Sequence, residues 1–144
     1  MKAAGCPLCD ETGGGPVFQG SKFRLVRAAE AGFPAFYRLV WTGHIAEFTD
    51  LPAADRQLCM EAVAEVEQAL RAHLRPTKVN LASLGNAVPH LHWHIVARFE
   101  WDSHFPAAVW AAALRVPPEG AVAAVEGRRA ALEQDLAARL GVLR

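Results

Sequence analysis

Three histidines at alternate positions, His90, His92 and His94, are the residues whose types and spacing best fit chemistry in this chain. Large apolar residues separate them. In a strand, alternate side chains share a face, so the three imidazoles would line one surface while the apolar residues pack beneath it. Imidazole attacks phosphorus near neutral pH and gives a phosphoramidate that a second nucleophile can break. The run therefore predicts a site in which one histidine attacks and the others stabilise phosphate oxygens.

Spacing alone leaves other interpretations of these residues open. Three histidines could lie on a half-exposed strand without chemistry, although a hydroxyl or a lysine would serve exposure equally well. His-X-His is also a good pair of zinc ligands. Cys6 and Cys9 have zinc-ligand spacing, and His44 and His90 could complete a set of four. The alternative is two reduced cysteines in a turn, whereas Cys59 is predicted to lie in the core.

Composition limits the classes of partner. A chain of 144 residues accommodates one compact domain. Because 15 basic residues balance 15 acidic ones, the chain has no net positive charge to attract a nucleic acid. The N-terminal region has no apolar stretch suited to a signal peptide or a membrane span. Three cysteines, an odd number, argue against a disulfide framework. We therefore expect a small-molecule ligand, no nucleic acid or membrane partner, and a cytoplasmic location.

The elements that position these residues are expected to form an α+β domain with a meandering antiparallel sheet of about five strands. Apolar and β-branched runs bounded by turn residues predict strands at 17–20, 23–28, 36–41, 78–84 and 90–96. Gly85 and Asn86 supply a turn between the last two strands, which makes them a hairpin. The histidine run thus belongs to a strand with close neighbours on both sides.

Two helices are predicted, a long central one and a C-terminal one. The first begins near Pro52, with Thr49 or Asp50 as its cap, and continues to about Leu74. Its buried stripe consists of Cys59, Val63, Val66, Leu70 and Leu74. The second runs from Glu119 to about residue 140 as a single helix after a pair of prolines.

The histidine run also carries a resemblance to a known family. Its sequence, His-Leu-His-Trp-His-Ile-Val over residues 90–96, matches in full the signature His-X-His-X-His followed by two apolar residues. The chain therefore resembles the histidine triad (HIT) family of nucleotide hydrolases and transferases, in its bacterial branch. The resemblance extends to the Cys-Pro-Leu-Cys start, the Trp-Thr-Gly-His segment at 41–44, Asp50-Leu51 and residues 80–98. It implies a HIT-like fold, a histidine triad domain over 1–116 and a homodimer whose sheets join. The C-terminal helix lies outside the resemblance, and we predict that it forms a helical extension over 117–144 that packs on the same domain.

The resemblance implies a mechanism centred on the middle histidine. His92 would attack the α-phosphate of a nucleoside phosphoramidate or dinucleoside polyphosphate and form a nucleotidyl-histidine intermediate, with His90 and His94 beside it. A backbone carbonyl of the same strand would hold the other ring nitrogen of His92. The family also places Asn80, Gly85, Asn86 and Arg98 at substrate. The alternative is a nucleotide- or zinc-binding protein with little or no turnover.

The resemblance also implies a structural zinc on Cys6, Cys9, His44 and His90, with no cofactor required for the chemistry. The chain departs from the family at two positions. Phe36 takes the place of a fourth histidine, and Ala28 that of the residue that holds the ribose hydroxyls. Trp101 and Trp110 could form part of a nucleobase wall, and core or dimer packing is the alternative for both.

Overall fold

A computed structural model describes residues 1–143, and Arg144, the last residue of the predicted extension, lies outside the described residues. One five-stranded antiparallel sheet has the order β1-β2-β3-β5-β4. Its strands are β1 (Gly15–Gln19), β2 (Phe23–Arg27), β3 (Phe36–Trp41), β4 (Lys78–Ala82) and β5 (His92–Arg98). The helices are α1 (Pro7–Asp10), α2 (Ala53–Leu74), α3 (Glu119–Glu126) and α4 (Arg129–Gly141). The predicted α+β class, sheet and long helix are confirmed.

The sheet has two different faces because its side chains alternate. One face packs against α2 and α4 and forms the main core, with Leu25, Tyr37, Leu39, Ile95 and Ala97 contributed by the three central strands. The opposite face carries the histidines. Within the part of the chain that the structure describes, no helix is long and apolar enough to span a membrane.

The histidine strand is shorter at its start than predicted. β5 begins at His92, and His90 lies in a bend before it. The His90 N–H donates to the Val88 carbonyl (2.8 Å) in a tight turn around Pro89, and proline disfavours regular pairing there. His90 is therefore free to turn its ring away from the other two histidines. The predicted hairpin is confirmed, because Ala82 pairs with His94 and Asn80 with Val96 in an antiparallel ladder.

The long helix follows the prediction except at its cap. All five residues of the predicted stripe are buried. The N-cap is Pro52, which has no side-chain oxygen, so the prediction of Thr49 or Asp50 is wrong. Asp50 instead ends a short 3₁₀ turn, Phe48–Asp50, and its carboxylate accepts the Glu47 N–H at 3.3 Å. The Asp50 carboxylate, which was predicted to cap the helix, thus caps the preceding 3₁₀ turn instead.

The predicted single C-terminal helix is wrong, because the segment divides into α3 and α4 at Gly127 and Arg128. Glycine has a low helix propensity, and the Arg128 N–H closes a tighter turn onto the Val125 carbonyl (3.0 Å). The break allows both helices to reach the main core. Their contribution consists of Val125, Leu132, Leu136 and Leu140.

Candidate active site and metal site

The candidate active site lies on the sheet face opposite the long helix. Two segments distant in sequence cover that face. The N-terminal segment with α1 packs over Val26 and Val40. Residues 102–115, which we call the strap, cross the other end, where Val109 packs on Phe36 and Val96. The histidines lie between the two segments, so tertiary packing gives each one different neighbours.

His92 is held in one tautomer by its own backbone neighbourhood. Its Nδ1–H donates to the His90 carbonyl at 2.6 Å, because a carbonyl oxygen can only accept. The Nε2 lone pair therefore remains available to an electrophile. His92 lines a cavity of about 330 Å³ together with Gly85, Asn86 and Trp110. A bound ligand in this cavity would lie beside an oriented, unprotonated nitrogen.

His94 has aromatic neighbours on three sides. Its ring is 4.9 Å from that of His92, 5.6 Å from Phe36 and 5.2 Å from Trp110, each in an edge-to-face arrangement. Burial, together with the positive charges of the neighbouring His92 and Arg38, lowers the pKa of His94 to about 4. Its Nδ1 is buried with no hydrogen-bond partner in residues 1–143. A neutral imidazole with an unpaired nitrogen is ready to meet a polar ligand atom.

His90 belongs to a different cluster, formed with Cys6, Cys9 and His44. Its Nε2–H donates to the Trp41 carbonyl at 2.7 Å, which leaves Nδ1 unprotonated. That Nδ1 lies 3.5 Å from Cys6 Sγ, 3.4 Å from Cys9 Sγ and 3.3 Å from His44 Nδ1. Burial lowers the pKa of His90, which favours the neutral ligand form. The four donors could bind a metal ion.

The spacing of these donors fits a tetrahedral zinc ion. Zinc bonds of about 2.0–2.1 Å to nitrogen and about 2.3 Å to sulfur give edges of about 3.3 Å between nitrogens and about 3.5 Å between nitrogen and sulfur. Four of the six donor separations, at 3.3 to 3.5 Å, reproduce these values, and all four donor atoms lie within 4.8 Å of one another. Two thiolates and two imidazoles are also the donor types that zinc prefers. The geometry therefore fits a closed, four-ligand zinc site, in which the ring of His92 is not a ligand.

Arg24 holds the N-terminal segment in place over the sheet. Its guanidinium donates to three backbone carbonyls, those of Leu8 (2.8 Å), Thr12 (3.1 Å) and Glu11 (3.2 Å). These carbonyls lie in or just after α1, the helix that carries Cys9. The β2 strand therefore positions the two cysteines against the bend that carries His90.

The predicted substrate residues lie in two neighbouring places. Gly85 and Asn86 line the cavity of about 330 Å³ beside His92. Gly85 has a φ of 75°, which glycine adopts without strain, and this conformation turns the loop beside the histidines. Asn80 lines a second cavity of about 460 Å³, on the β4 side of Trp110 and His94. All three residues therefore border space that reaches the histidines.

Arg98 does not lie where the prediction placed it. It shares the sheet face of His92 but is six residues along the strand, about 20 Å away. Its side chain is 2% exposed and donates to Asp102 (2.8 Å), Asn80 (2.8 Å) and the Ala107 carbonyl (2.8 Å). A guanidinium that Asp102 already neutralises is not available to a phosphate. We therefore correct its assignment from substrate binding to anchoring the strap.

Sequence reasoning missed Arg38 and Asp102. Arg38 pairs directly with His94 in the ladder between β3 and β5, and this makes it a cation close to the histidines. The register of two strands that are distant in sequence has no local signal. Asp102 is fully buried and accepts hydrogen bonds from Arg98 and three backbone N–H groups. Burial alone would raise its pKa, but these hydrogen bonds hold it below its usual value.

The two departures from the family pattern are buried together. Phe36 and Ala28 lie with Phe33 and Val96 in one apolar cluster beneath the strap. Phe36 occupies the side of His94 toward Ala28, with its ring edge-on to the imidazole. Apolar side chains therefore fill the place where polar side chains were expected to contact a nucleotide.

The comparisons with known proteins agree with this architecture. The family model of the HIT domain matches residues 15–101, and the chain belongs to that family. Among solved structures, it resembles a histidine triad protein from Marinobacter aquaeolei VT8, with 22% identity over 92% of this chain and 93% of that chain and a TM-score of 0.71. A histidine triad protein from Bradyrhizobium japonicum has 24% identity over 78% and 88% of the two chains and a TM-score of 0.64.

A further similar structure is a zinc-bound histidine triad family protein from Mycobacterium smegmatis. It has 16% identity over 90% of this chain and 96% of that chain, with a TM-score of 0.59. At these identities the likeness shows a common fold. A search of curated proteins finds no match to this chain. The predicted family and fold are confirmed.

Proposed function

We propose that this protein is a nucleotide hydrolase or transferase that acts at the α-phosphate of nucleoside phosphoramidates or dinucleoside polyphosphates. The observation that carries the proposal is the 2.6 Å hydrogen bond from His92 Nδ1 to the His90 carbonyl. It fixes the free Nε2 lone pair on a residue that lines a cavity. The family to which the chain belongs supports the same chemistry.

The reaction has two steps. The Nε2 lone pair of His92 forms a bond to the α-phosphorus, and the bond from phosphorus to the leaving amine or phosphate breaks. The leaving group departs with the electron pair and takes a proton from solvent. Water then attacks phosphorus, the bond to His92 breaks, and a nucleoside monophosphate is released with the proton of the water passing to solvent. The His90 carbonyl stabilises the positive ring of the intermediate through the Nδ1–H bond.

Other residues orient the phosphate. His94 is neutral at pH 7, because its pKa lies at about 4, and so it acts as a hydrogen-bond donor or acceptor. Gly85 and Asn86 line the same cavity, where their backbone N–H groups are candidate donors to phosphate oxygens. Arg38, opposite His94 on the neighbouring strand, adds positive potential that its ion pair with Glu30 at 3.0 Å reduces. These roles are part of the proposal.

We also propose that Cys6, Cys9, His44 and His90 hold a structural zinc. The fit of their separations to a tetrahedron supports this, and a zinc-bound relative has the same fold. A bound zinc would contribute stability, since all four positions around it are filled by protein. Through His90 it would also fix the carbonyl that orients His92.

The homodimer implied by the family remains a proposal, supported by the free edge of the sheet. β4 lies at the end of the strand order, and nearby Leu81 and Leu84 are 39% and 49% exposed. An edge strand with apolar side chains favours pairing with a second copy. Light scattering should give twice the monomer mass, and Leu81→Lys should shift it toward the monomer. A monomeric wild type would contradict the proposal.

The experiment that tests the main proposal is mass spectrometry of the intact protein after brief incubation with adenosine 5′-phosphoramidate. We expect an adenylyl adduct on the wild type and none on His92→Ala. His73→Gln is the matched control, because that imidazole lies outside the site and pairs with Asp135 at 2.8 Å. An adduct or turnover on His92→Ala would contradict the proposal.

A binding protein with little turnover is the second candidate function. The apolar burial of Phe36 and Ala28, where polar contacts were expected, favours it. Tight nucleotide binding without adduct or product on the wild type would support this candidate against the first. Nucleotide affinity should therefore be measured by calorimetry on the same preparations.

A further inference from the structure

We propose that the indole of Trp110 is the stacking surface for the base of the bound nucleotide, so that the nucleoside extends from His92 toward the strap and not toward Ala28. This inference rests on the proposed function and names a base-carrying nucleotide as the ligand. Trp110 is 56% exposed, although it is a large aromatic residue that contacts the buried His94 at 5.2 Å. Its exposed ring therefore stands directly beside the histidines.

Trp110 borders both cavities that reach His94. One is the cavity of about 330 Å³ with His92 and Asn86, and the other is the cavity of about 460 Å³ with Asn80. Each is within the range of small-molecule sites, about 300–1,000 Å³. A phosphate beside His92 would thus be separated only by the His94 and Trp110 side chains from a cavity that could hold the nucleoside. The planar indole offers that nucleoside an aromatic face.

Buried aromatic side chains lie between His94 and Ala28, and the cavity of about 650 Å³ that Ala28 lines does not include a histidine. Phe36 fills the space beside His94 toward β2, and Phe33 and Val109 pack against it in the same cluster. Ala28, at the position assigned to ribose recognition, is buried and has no side-chain hydrogen-bonding group. A ribose that approached Ala28 from His94 would have to displace these buried aromatic rings. The strap side requires no such displacement.

The strap is built to hold Trp110 in this position. Arg98 donates to the Ala107 carbonyl at 2.8 Å, and Asp102 accepts the Phe105 N–H at 2.7 Å. Arg115 closes the strap by donating to the carbonyls of Asp102 and Phe105, both at 2.7 Å. Three of these contacts are half-buried and one is exposed, and they flank Trp110 on both sides in sequence. A pre-positioned aromatic face loses little conformational entropy when a ligand stacks on it.

Asn80 provides the second cavity with a hydrogen-bond donor. The Arg98 guanidinium can only donate, so its 2.8 Å contact fixes the Asn80 Oδ1 as the acceptor. The Nδ2 amide group is then left as a donor beside the cavity that Asn80 lines. The edge of a base presents acceptor atoms to such a donor. The His94 ring lies beside both His92 and Trp110, with ring centroids 4.9 and 5.2 Å away.

The test compares AMP with ribose 5-phosphate, which has the same phosphate and sugar but no base. Their dissociation constants should be measured by calorimetry on the wild type, Trp110→Ala, Trp110→Phe and Leu114→Ala. Leu114 is the matched control, since it is an exposed apolar residue of the same strap that lines neither cavity. Loss of stacking should weaken AMP about 5- to 150-fold in Trp110→Ala. Trp110→Phe should retain most of the affinity, and Leu114→Ala all of it.

Ribose 5-phosphate separates stacking from a supporting role. Its affinity should not change in Trp110→Ala, because it presents no base to the indole. Equal weakening of both ligands would overturn the proposal by showing that Trp110 only supports His94. Unchanged AMP affinity in Trp110→Ala, or no AMP binding to the wild type, would also overturn it. An adenylyl adduct on wild-type His92 in any of these cases would leave the proposed reaction standing and reject Trp110 alone.

Discussion

The two ends of the histidine run differ in every neighbour although their residue type is the same. His90 lies among two thiols and an imidazole, with its Nε2–H bound to a backbone carbonyl. His94 lies among aromatic rings, with its Nδ1 unpaired in residues 1–143. We call the first group, with Cys6, Cys9 and His44, the cation cluster, and the second, with Phe36 and Trp110, the aromatic cluster.

The difference shows that a repeated residue type need not mean a repeated role. The cation cluster contains the four donors that one zinc ion would need. The aromatic cluster is incomplete, because one of its polar atoms has no partner among the described residues 1–143 and one aromatic face is exposed. We infer that one cluster contributes stability and the other binds the ligand, with His92 between them. The two clusters should therefore respond differently to metal removal, to substitution and to acid.

Removal of the proposed metal ion should have the largest effect on the free energy of unfolding. A structural zinc contributes about 10–16 kcal/mol in small peptides, so we expect Cys9→Ser or chelation to lower the free energy of unfolding by about 5 kcal/mol or more. Chemical denaturation with parallel metal analysis measures this. Trp110→Ala should leave it unchanged. A Cys9→Ser protein as stable as the wild type, with no metal in either, would refute the assignment of the cation cluster.

Removal of the buried Asp102 carboxylate, close to the aromatic cluster, should have the second-largest effect on the free energy of unfolding. Asp102→Ala leaves Arg98 buried without a counter-charge, which typically costs about 3–5 kcal/mol. Chemical denaturation should show this loss with the metal content unchanged. The exposed pair of Lys22 and Asp55 provides the control, since Asp55→Ala should cost less than about 1 kcal/mol. Equal effects of the two substitutions would show that the strap is not anchored at Asp102.

Acid should act on the aromatic cluster through His94. Its pKa is about 4 in the folded chain against about 6.5 unfolded, so the unfolded state binds more protons in that interval. Stability should therefore be full above pH 6.5 and fall by roughly 3 kcal/mol as the pH drops to 4. His94→Gln should lack this part of the decline but retain any part due to metal loss. Identical pH profiles for the two proteins would contradict the shifted pKa.

The smallest effect concerns the third cysteine, which belongs to neither cluster. Burial raises the pKa of Cys59 to about 11, and the side chain lies in the core stripe of α2. Its thiolate fraction is then about 100-fold below that of an ordinary cysteine. Iodoacetamide at pH 8, with mass mapping, should modify Cys6 and Cys9 after chelation and Cys59 only after unfolding. Early labelling of Cys59 in folded protein would show that the α2 stripe opens.

Much of the fold could be predicted from sequence because its signals are local. The apolar periodicity placed α2, and turn residues between apolar runs placed the five strands. The prediction of helix ends was wrong where two local interactions competed for the same residue. Asp50 closes its own turn instead of capping α2, and Gly127 divides the C-terminal helix. Single-residue preferences of this size are too small to read without the surrounding contacts.

The sequence by itself determined the family, the sheet alternation and the histidine run, because each depends on residue spacing within one segment. It also named Cys6, Cys9, His44 and His90 as one ligand set, which the fold brings within 4.8 Å of one another. Tertiary structure alone decided that Arg98 anchors the strap and that Trp110 stands exposed over His94. Those outcomes depend on which distant segments cover the sheet, and packing between distant segments leaves no periodic signal in the chain.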